Sequence, residues 1–583
     1  MTSLFFGLGS AVSPAAATGS YRAATGRSRR SDLAILAFFA FIAALWQYQV
    51  LGPAPFVVPS GDGGNVGSIV AASMHPDRFI NDPVFSESAN TDFYVTITRP
   101  WVFLSALLSG DVGQAYMLMQ FPILLLQMTG FFWLGRRLFG GTFWPLVLAL
   151  VSVPPVFIFN GDLWGNLPAP LTRTVYGAVF PYLILAALPP ISWWRPFLVM
   201  GLCGLAVYVH PVSAPSVAMA LWLAMLAVAQ AVGGPARRLV IMALAGLLFV
   251  ALAVPFALIF LQSMVQIASP QVSQLQESNK AILGAQYYDA WIALGVALKG
   301  GGQNPSPFWG WIYLPWVAAL LFILGVIKPL PWRQSRTFFL VLFAGILLSS
   351  AGIAWLDQLI ARLRGGEPVQ LDIIRNLRFV LPALLIGVVW LLAELQQRFG
   401  KNSAFRLALM APGVVLVGAW WLIFPNPVLT APETWRARES SAVALRDQQD
   451  FRALILRLRE APVGSVVLPL PTEAFETDAL AVRYGAFQPL LYLRRDMNFL
   501  LYSASRNLEL WANLKQQLTG LEQRDQASIE TVIRDLRSKH ALRYLLVDSQ
   551  METEALAAAS KALAVETVVS GKWRLYRLED LKE

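Results

Sequence analysis

Residues 29–51 read RRSDLAILAFFAFIAALWQYQVL: two arginines and then, from Leu33, nineteen positions without a charge. A helix rises about 1.5 Å per residue, so roughly 20 apolar residues cross a hydrocarbon core about 30 Å thick. No convincing small-residue cleavage site follows the run, which therefore reads as an uncleaved signal anchor. Ahead of it, residues 1–31 are rich in Ala, Gly, Ser and Arg and read as a disordered cytoplasmic tail.

The same window picks out ten further runs, near 114–134, 142–159, 175–191, 196–210, 212–232, 239–261, 308–327, 337–356, 379–395 and 407–424. Composition agrees: the 583 residues are 56% hydrophobic, with 20 Trp, 35 Phe and a mean hydropathy of +0.55, beyond what a soluble domain carries. We expect a polytopic α-helical membrane protein with about eleven transmembrane helices over residues 32–425 and long outer loops at 52–113 and 263–306. The two runs flanking His210-Pro211 read as a hairpin, because merging them would carry Arg237 and Arg238 to the wrong side. Cys203 is the only cysteine and lies in an apolar run, which excludes an intramolecular disulfide and a cysteine-based metal site.

Charge orients the chain. With the N-terminus inside, alternate connections collect Arg22, Arg27, Arg29, Arg30, Arg136, Arg137, Arg195, Arg237, Arg238, Lys328, Arg333, Arg336, Arg398, Lys401 and Arg406, against only Asp32 and Glu394. The outer connections hold nine bases and twelve acids, the bias that keeps basic loops cytoplasmic. Eleven spans leave the C-terminus outside. Residues 426–583 lose the long apolar runs, and their 21 basic residues balance 21 acidic ones. The net charge of +10 thus belongs to the membrane part and reflects topology, which removes the case for a nucleic-acid partner.

The tail reads as an extracytoplasmic mixed α/β domain. Strand-like runs at 465–470, 542–547, 565–569 and 573–578 alternate with helix-like stretches at 452–459, 508–518, 528–540 and 552–563. Its only histidine is His540, and no glycine-rich phosphate loop follows a strand.

Chemistry is therefore sought in the outer connections. Pro59-Ser60-Gly61-Asp62-Gly63-Gly64-Asn65 sets a carboxylate among glycines, able to act as a general base or a hard-metal ligand, or else to close an Asx turn. Asn160-Gly161-Asp162-Leu163-Trp164-Gly165 supplies a second one; if the two met, they could hold Mg²⁺ or Mn²⁺. Asp82, before Pro83, is a weaker acidic candidate. His210 lies at a span edge, where an ionisable group is either an interface residue or a functional one. Arg375 and Arg378 are three apart at the start of the tenth span, with Arg362 and Arg364 upstream, and paired guanidinium forks there suit a lipid phosphate or headgroup. In the loop 263–306, Tyr287, Tyr288 and Trp291 suit either the membrane's aromatic belt or a sugar.

These features together resemble a family. A first span, a long outer loop with an early Asp, and a second span closing on Leu134-Gly135-Arg136-Arg137-Leu138-Phe139-Gly140-Gly141 are similar to the GT-C superfamily of polyprenyl-phosphate-dependent membrane glycosyltransferases. So are the hairpin after Gly201-Leu202-Cys203-Gly204-Leu205-Ala206, the long outer loop after span seven, and the extracytoplasmic C-terminal domain. The resemblance covers the architecture of Leu33–Pro425. It implies inverting transfer of a sugar from a polyprenyl-phosphate donor to a glycan, lipid or protein acceptor. Asp62 would be the general base, Asp162 the assisting or metal-binding carboxylate, and Arg375 with Arg378 the clamp on the departing lipid phosphate. His210 would stand near that phosphate. The chain departs from the family in lacking an Asp-Glu pair in the first loop and an Asp-x-Asp in the second. Two other classes fit the topology: a transporter or flippase for a lipid-linked or anionic solute, and a non-catalytic scaffold. Against transport, the spans hold few ionisable residues at mid-depth and show no inverted repeat.

Overall fold

The structure, a computed structural model, describes residues 29–51, 61–87, 91–158, 162–165, 170–229, 233–265, 333–364, 373–399, 403–423, 428, 442–472, 476–500 and 507–579. Among them five helical stretches are long and apolar enough to cross a membrane: Ser31–Gln49, Val112–Phe139, Pro235–Ile259, Gln334–Arg364 and Asn376–Gln397. Shorter apolar helices at Arg195–Ala206, Ser213–Val228 and Ala411–Leu422 lie beside them.

In chain order the helical part comprises α1 (Arg29–Leu51), α2 (Gly61–Met74), α3 (Asp92–Leu107), α4 (Val112–Leu118), α5 (Gln120–Phe139) and α6 (Phe143–Val151). A hairpin of β1 (Val156–Ile158) and β2 (Asp162–Trp164) follows. Next come α7 (Thr172–Ala187), α8 (Arg195–Ala206), α9 (Ser213–Val228), α10 (Pro235–Val265), α11 (Arg333–Leu347), α12 (Ile353–Arg364), α13 (Val380–Phe399), α14 (Ser403–Ala408) and α15 (Ala411–Ile423). Glycine sets how closely they pack. A Cβ on Gly130 would lie 2.6 Å from the Pro181 and Tyr182 side chains, and one on Gly345 only 2.8 Å from the Ala220 Cα, so α7 side chains rest on the α5 backbone and α9 meets α11 almost backbone to backbone.

The polar contacts sort these helices into two ends. At one, Arg136 pairs with Asp32 at 2.6 Å, Arg195 donates to the carbonyls of Leu188 and Pro190, and Trp144 donates to Gln396 at 2.7 Å. At the other, the Phe121 amide donates to Gln47 and Ser213 bonds to Asn376. Of the residues that the charge pattern assigns inside, Arg136 and Asp32 meet directly.

The structure adds detail at three places. The described part of the outer connection 52–113 is largely helical, in α2, α3 and a 3₁₀ turn at Pro76–Phe79. The run 142–159 gives only the nine-residue α6 before the hairpin, because Pro154 and Pro155 stop the helix. The run 337–356 continues beyond its expected end: α11 passes through a π-helical turn, Leu348–Gly352, into α12, so Arg362 and Arg364 are helical. The run 308–327 and the loop from 266 to 306 lie outside the described residues.

The C-terminal domain comprises α16 (Ala442–Arg459), β3 (Val466–Leu470), α17 (Glu476–Ala486), α18 (Met497–Leu500), α19 (Asn507–Leu518), α20 (Gln526–His540), β4 (Leu542–Asp548), α21 (Glu554–Leu563), β5 (Ala564–Ser570) and β6 (Trp573–Leu578). Its sheet runs β3-β4-β6-β5, with β3 parallel to β4 and the other pairs antiparallel. All four expected strands and all four expected helices form. The helix that the sequence concealed, α17, is the one that packs on α2. Gly64 and Gly67 present a flat face there: a Cβ on Gly64 would meet Leu480 at 2.7 Å, and one on Gly67 would meet Tyr484 at 3.3 Å. The glycines around Asp62 therefore serve helix packing, where the sequence suggested a turn or close approach to a ligand.

Candidate functional site

Asp62 stands in the first turn of α2, where the unpaired amides of a helix N-terminus favour its negative charge. Its side chain is 52% exposed, and a cation from each domain reaches it. Arg173 Nη2, at the start of α7, lies 3.2 Å from Oδ2, and Arg495 Nη1, from the 3₁₀ turn Arg494–Asp496 of the C-terminal domain, lies 3.8 Å from Oδ1. An arginine in the first turn of a helix stands against the macrodipole, and a carboxylate opposite it compensates. Arg173 thus faces Asp62 for a reason internal to the fold.

Arg495 is held in place through its neighbour. Asp496 and Asp82 bracket Arg483, all three side chains buried completely. Arg483 donates through Nε and Nη2 to Asp82 at 2.8 and 3.0 Å, and through Nη1 and Nη2 to Asp496 at 2.6 and 2.9 Å. Asp82 also accepts the amides of Val84, Phe85 and Leu490. Two carboxylates hold the Arg483 guanidinium well above its ordinary range despite burial, while burial pushes the Asp496 carboxyl up against the pull of Arg483. Asp82 is therefore a buried tie between the first outer segment and the C-terminal domain. Nothing in its Asn-Asp-Pro context distinguished it from a turn residue.

Beside Asp62 a small cleft with a cavity volume of about 10 Å³ is lined by Gln127, Trp164, Gly165, Arg173, Thr174, Gly177, Arg378 and Phe379. Its parts come from α5, the β1–β2 hairpin, α7 and the 3₁₀ segment Ile373–Phe379. Gly165 has φ +99°, and a Cβ there would fall 2.3 Å from the Pro154 carbonyl oxygen, so only glycine lets the hairpin fold down onto this wall. Trp164 is wedged edge-on between Phe131, Phe180 and Phe379, at centroid distances of 5.9 to 6.0 Å. Arg378 is 4% exposed. The segment carrying it is fixed by Asn376, which accepts from Ser213 Oγ at 3.0 Å and donates to the Val212 carbonyl at 2.9 Å and to Ser216 Oγ at 2.8 Å.

The expected site residues divide accordingly. Asp62 and Arg378 come to the same region, joined by Arg173, which touches the first and shares the cleft with the second. Asp162 begins β2, paired in register with Ile158, two residues from Trp164 on the cleft wall; its side chain, like that of Arg375, lies outside the described residues. His210 Nδ1 accepts the Ser213 amide, at the first residue of α9, at 3.2 Å, and its ring lies 6.3 Å from that of Tyr176. Arg362 and Arg364 are exposed at the C-terminal end of α12 and are not among the residues lining the cleft. Tyr287, Tyr288 and Trp291 lie outside the described residues.

The donor set around Asp62 does not suit a divalent ion. Its charged neighbours are guanidinium groups, which repel Mg²⁺ or Mn²⁺, and no three His, Cys, Asp or Glu residues cluster to hold a metal among the described residues. Sequence reading missed Arg173, Arg495 and Trp164. Arg173 offered a faint signal, being an arginine on the side that topology depletes of basic charge. No family model matches this chain, and a search of curated proteins also returns no match.

Proposed function

We propose that the chain is a membrane glycosyltransferase that moves a sugar from a polyprenyl-phosphate donor to an acceptor hydroxyl or amide on the outer face of a bacterial cytoplasmic membrane. In this reading the N-terminus lies inside and the C-terminal domain outside. The observation that carries it is the meeting of a half-exposed carboxylate, Asp62, with a cleft holding the two guanidinium groups of Arg173 and Arg378.

The chemistry needs those two parts. Asp62 takes the acceptor proton as the acceptor atom forms a bond to the anomeric carbon; the bond from that carbon to the donor phosphate oxygen breaks on the opposite face, and polyprenyl phosphate leaves with one more negative charge. Guanidinium groups brought to that oxygen stabilise the charge as it develops. Arg378, buried and held by the Asn376 network, is the fixed member of the clamp. In this reading Arg375 is a further ligand of the phosphate, and Asp162 and His210 keep the assisting roles that the resemblance implies. No step is routed through a metal.

The test is transfer of radiolabelled sugar from a panel of polyprenyl-phosphate donors by the full chain in lipid. Transfer that disappears in a folded Asp62→Asn variant supports the reading. Absence of transfer with every donor, together with retained binding of a prenyl phosphate, points instead to a lipid-handling or scaffolding protein.

A further inference from the structure

Arg362 and Arg364 end a helical stretch that is too long for the bilayer it enters. Gln334–Arg364 is apolar over 31 residues, about 46 Å at 1.5 Å per residue, against a hydrocarbon core about 30 Å thick. Tilt alone would have to reach about 50° to hide that length, beyond the roughly 40° at which spanning helices stop. The excess matches the 12 residues of α12. With Arg333 and Arg336 at the inner surface, as the charge pattern assigns them, α12 stands at the outer one. At about 100° per residue its faces separate cleanly. Ala354 and Ala361 share one line and are buried, and Ala354 packs with Leu377 of the 3₁₀ segment that carries Arg378. Opposite them Trp355, Leu359, Leu363, Leu356 and Ile360 form an arc about 140° wide, with exposures from 38% to 80%. Arg362 and Arg364, both exposed, stand just past its two edges, about 20° beyond Trp355 and about 40° beyond Ile360. We propose that α12 is a docking surface for anionic lipid: it lies in the headgroup layer of the outer leaflet, its apolar arc at the acyl boundary and its two arginines on lipid phosphates to either side.

Both halves of the arc point to a lipid surface. Five large apolar side chains on three turns of helix are costly in water, and they continue the apolar surface of a spanning helix without a break. An apolar arc bracketed by basic residues is the pattern of a helix lying in a membrane interface. Arginine suits the edges, because its stem lies along apolar surface while its planar fork meets a phosphate. Topology depletes the outer side of basic charge, so two arginines placed there need a local partner. The contact also reaches the proposed site. Through Ala354 and Leu377, the depth of α12 sets the height of the segment holding Asn376 and Arg378. Asp62 and sugar transfer play no part in it, so it stands or falls apart from them.

Depth is measurable because Cys203, the only cysteine, is fully buried, which leaves an introduced cysteine as the one accessible to a label. The full chain carries a fluorophore on Leu359→Cys, on Leu363→Cys or, as an aqueous control, on Lys539→Cys, whose native side chain is 58% exposed. Each protein is checked for an unchanged melting midpoint and placed in nanodiscs of phosphatidylcholine and phosphatidylglycerol. The quenchers are a lipid nitroxide near the headgroup, one near the chain end, and aqueous iodide. At Leu359→Cys and Leu363→Cys the headgroup nitroxide is expected to quench several-fold more than either of the others, and at Lys539→Cys iodide is expected to dominate. Carrying that nitroxide on phosphatidylglycerol instead of phosphatidylcholine should raise quenching at Leu363→Cys. Adding Arg362→Gln and Arg364→Gln should remove the gain, since each base near an anionic surface is worth about fivefold in local lipid affinity. Dominant iodide quenching at Leu359→Cys and Leu363→Cys places α12 in water and overturns the proposal, and dominant chain-end quenching places it inside the hydrocarbon and does the same. Protection from all three quenchers identifies a protein partner or a second copy on this face, which also overturns it. Equal quenching from the two lipids before the arginines are changed overturns their role on anionic phosphates.

Discussion

Two clusters of aspartate and arginine join the bundle to the C-terminal domain, and they differ mainly in water. Around Arg483 the three side chains are wholly buried and every carboxylate oxygen is engaged at 3.2 Å or less. Around Asp62 the carboxylate is half exposed and its contacts stretch to 3.2 and 3.8 Å. The same groups therefore do opposite work. A buried, fully bonded charge network fixes geometry and tolerates no loss of a member, whereas an exposed pair contributes little to stability and is free to exchange partners.

The sharpest way to break the contrast is Arg483→Met, which leaves Asp82 and Asp496 buried without their cation. Such losses cost about 3–5 kcal/mol, and a large drop in the melting midpoint, with faster proteolysis between the domains, is expected. A midpoint close to wild type would show that the network is not a lock. Next in size is the close approach of α2 and α17: Gly64→Val should cost about 1–3 kcal/mol by overpacking against Leu480. Combining it with Leu480→Ala should recover part of the loss, as a double-mutant cycle by thermal melting would read.

A smaller effect depends on pH. His75 packs against Phe487 with ring centroids 4.4 Å apart and the planes tilted by 48°, and Arg459 lies over the same ring. Burial first, then the charge of Arg78, lowers the His75 pKa below its ordinary 6.5. The folded state therefore binds this proton less readily than the unfolded chain. Stability from His75 is present above pH 6.5 and is lost as pH falls through that value toward the lowered one. Melting midpoints measured from pH 7.5 down to 5 should show that slope in wild type and a weaker one in His75→Phe. The smallest stability change is expected for Asp62→Asn, within about 1 kcal/mol of wild type for an exposed pair.

How much of this could be read from the chain depends on what each residue faces. The long apolar helices were legible because crossing a membrane demands a length and hydropathy that nothing else in the chain imitates. The strands β3 to β6 were legible from their β-branched and aromatic runs between turns. Helix α17 was hidden because Ala479, Leu480, Ala481, Val482, Tyr484 and Ala486 are all buried, so no amphipathic period marks it. Arg483 reads as a surface charge until Asp82, some 400 positions earlier, closes on it. Asp62 stood out by its glycine surroundings, although those glycines pack a helix. Arg173 acquires meaning only from a partner 111 positions away.

The central claim is that the exposed cluster works while the buried one holds. Its most direct test measures sugar transfer from polyprenyl-phosphate donors by wild type and Asp62→Asn, with the melting midpoint recorded on the same samples. The account predicts a loss of transfer on the order of a hundredfold or more, as expected for removing a general base, at an unchanged midpoint. Equal transfer by the two proteins would contradict it and leave Asp62 as one more ion pair at a domain junction.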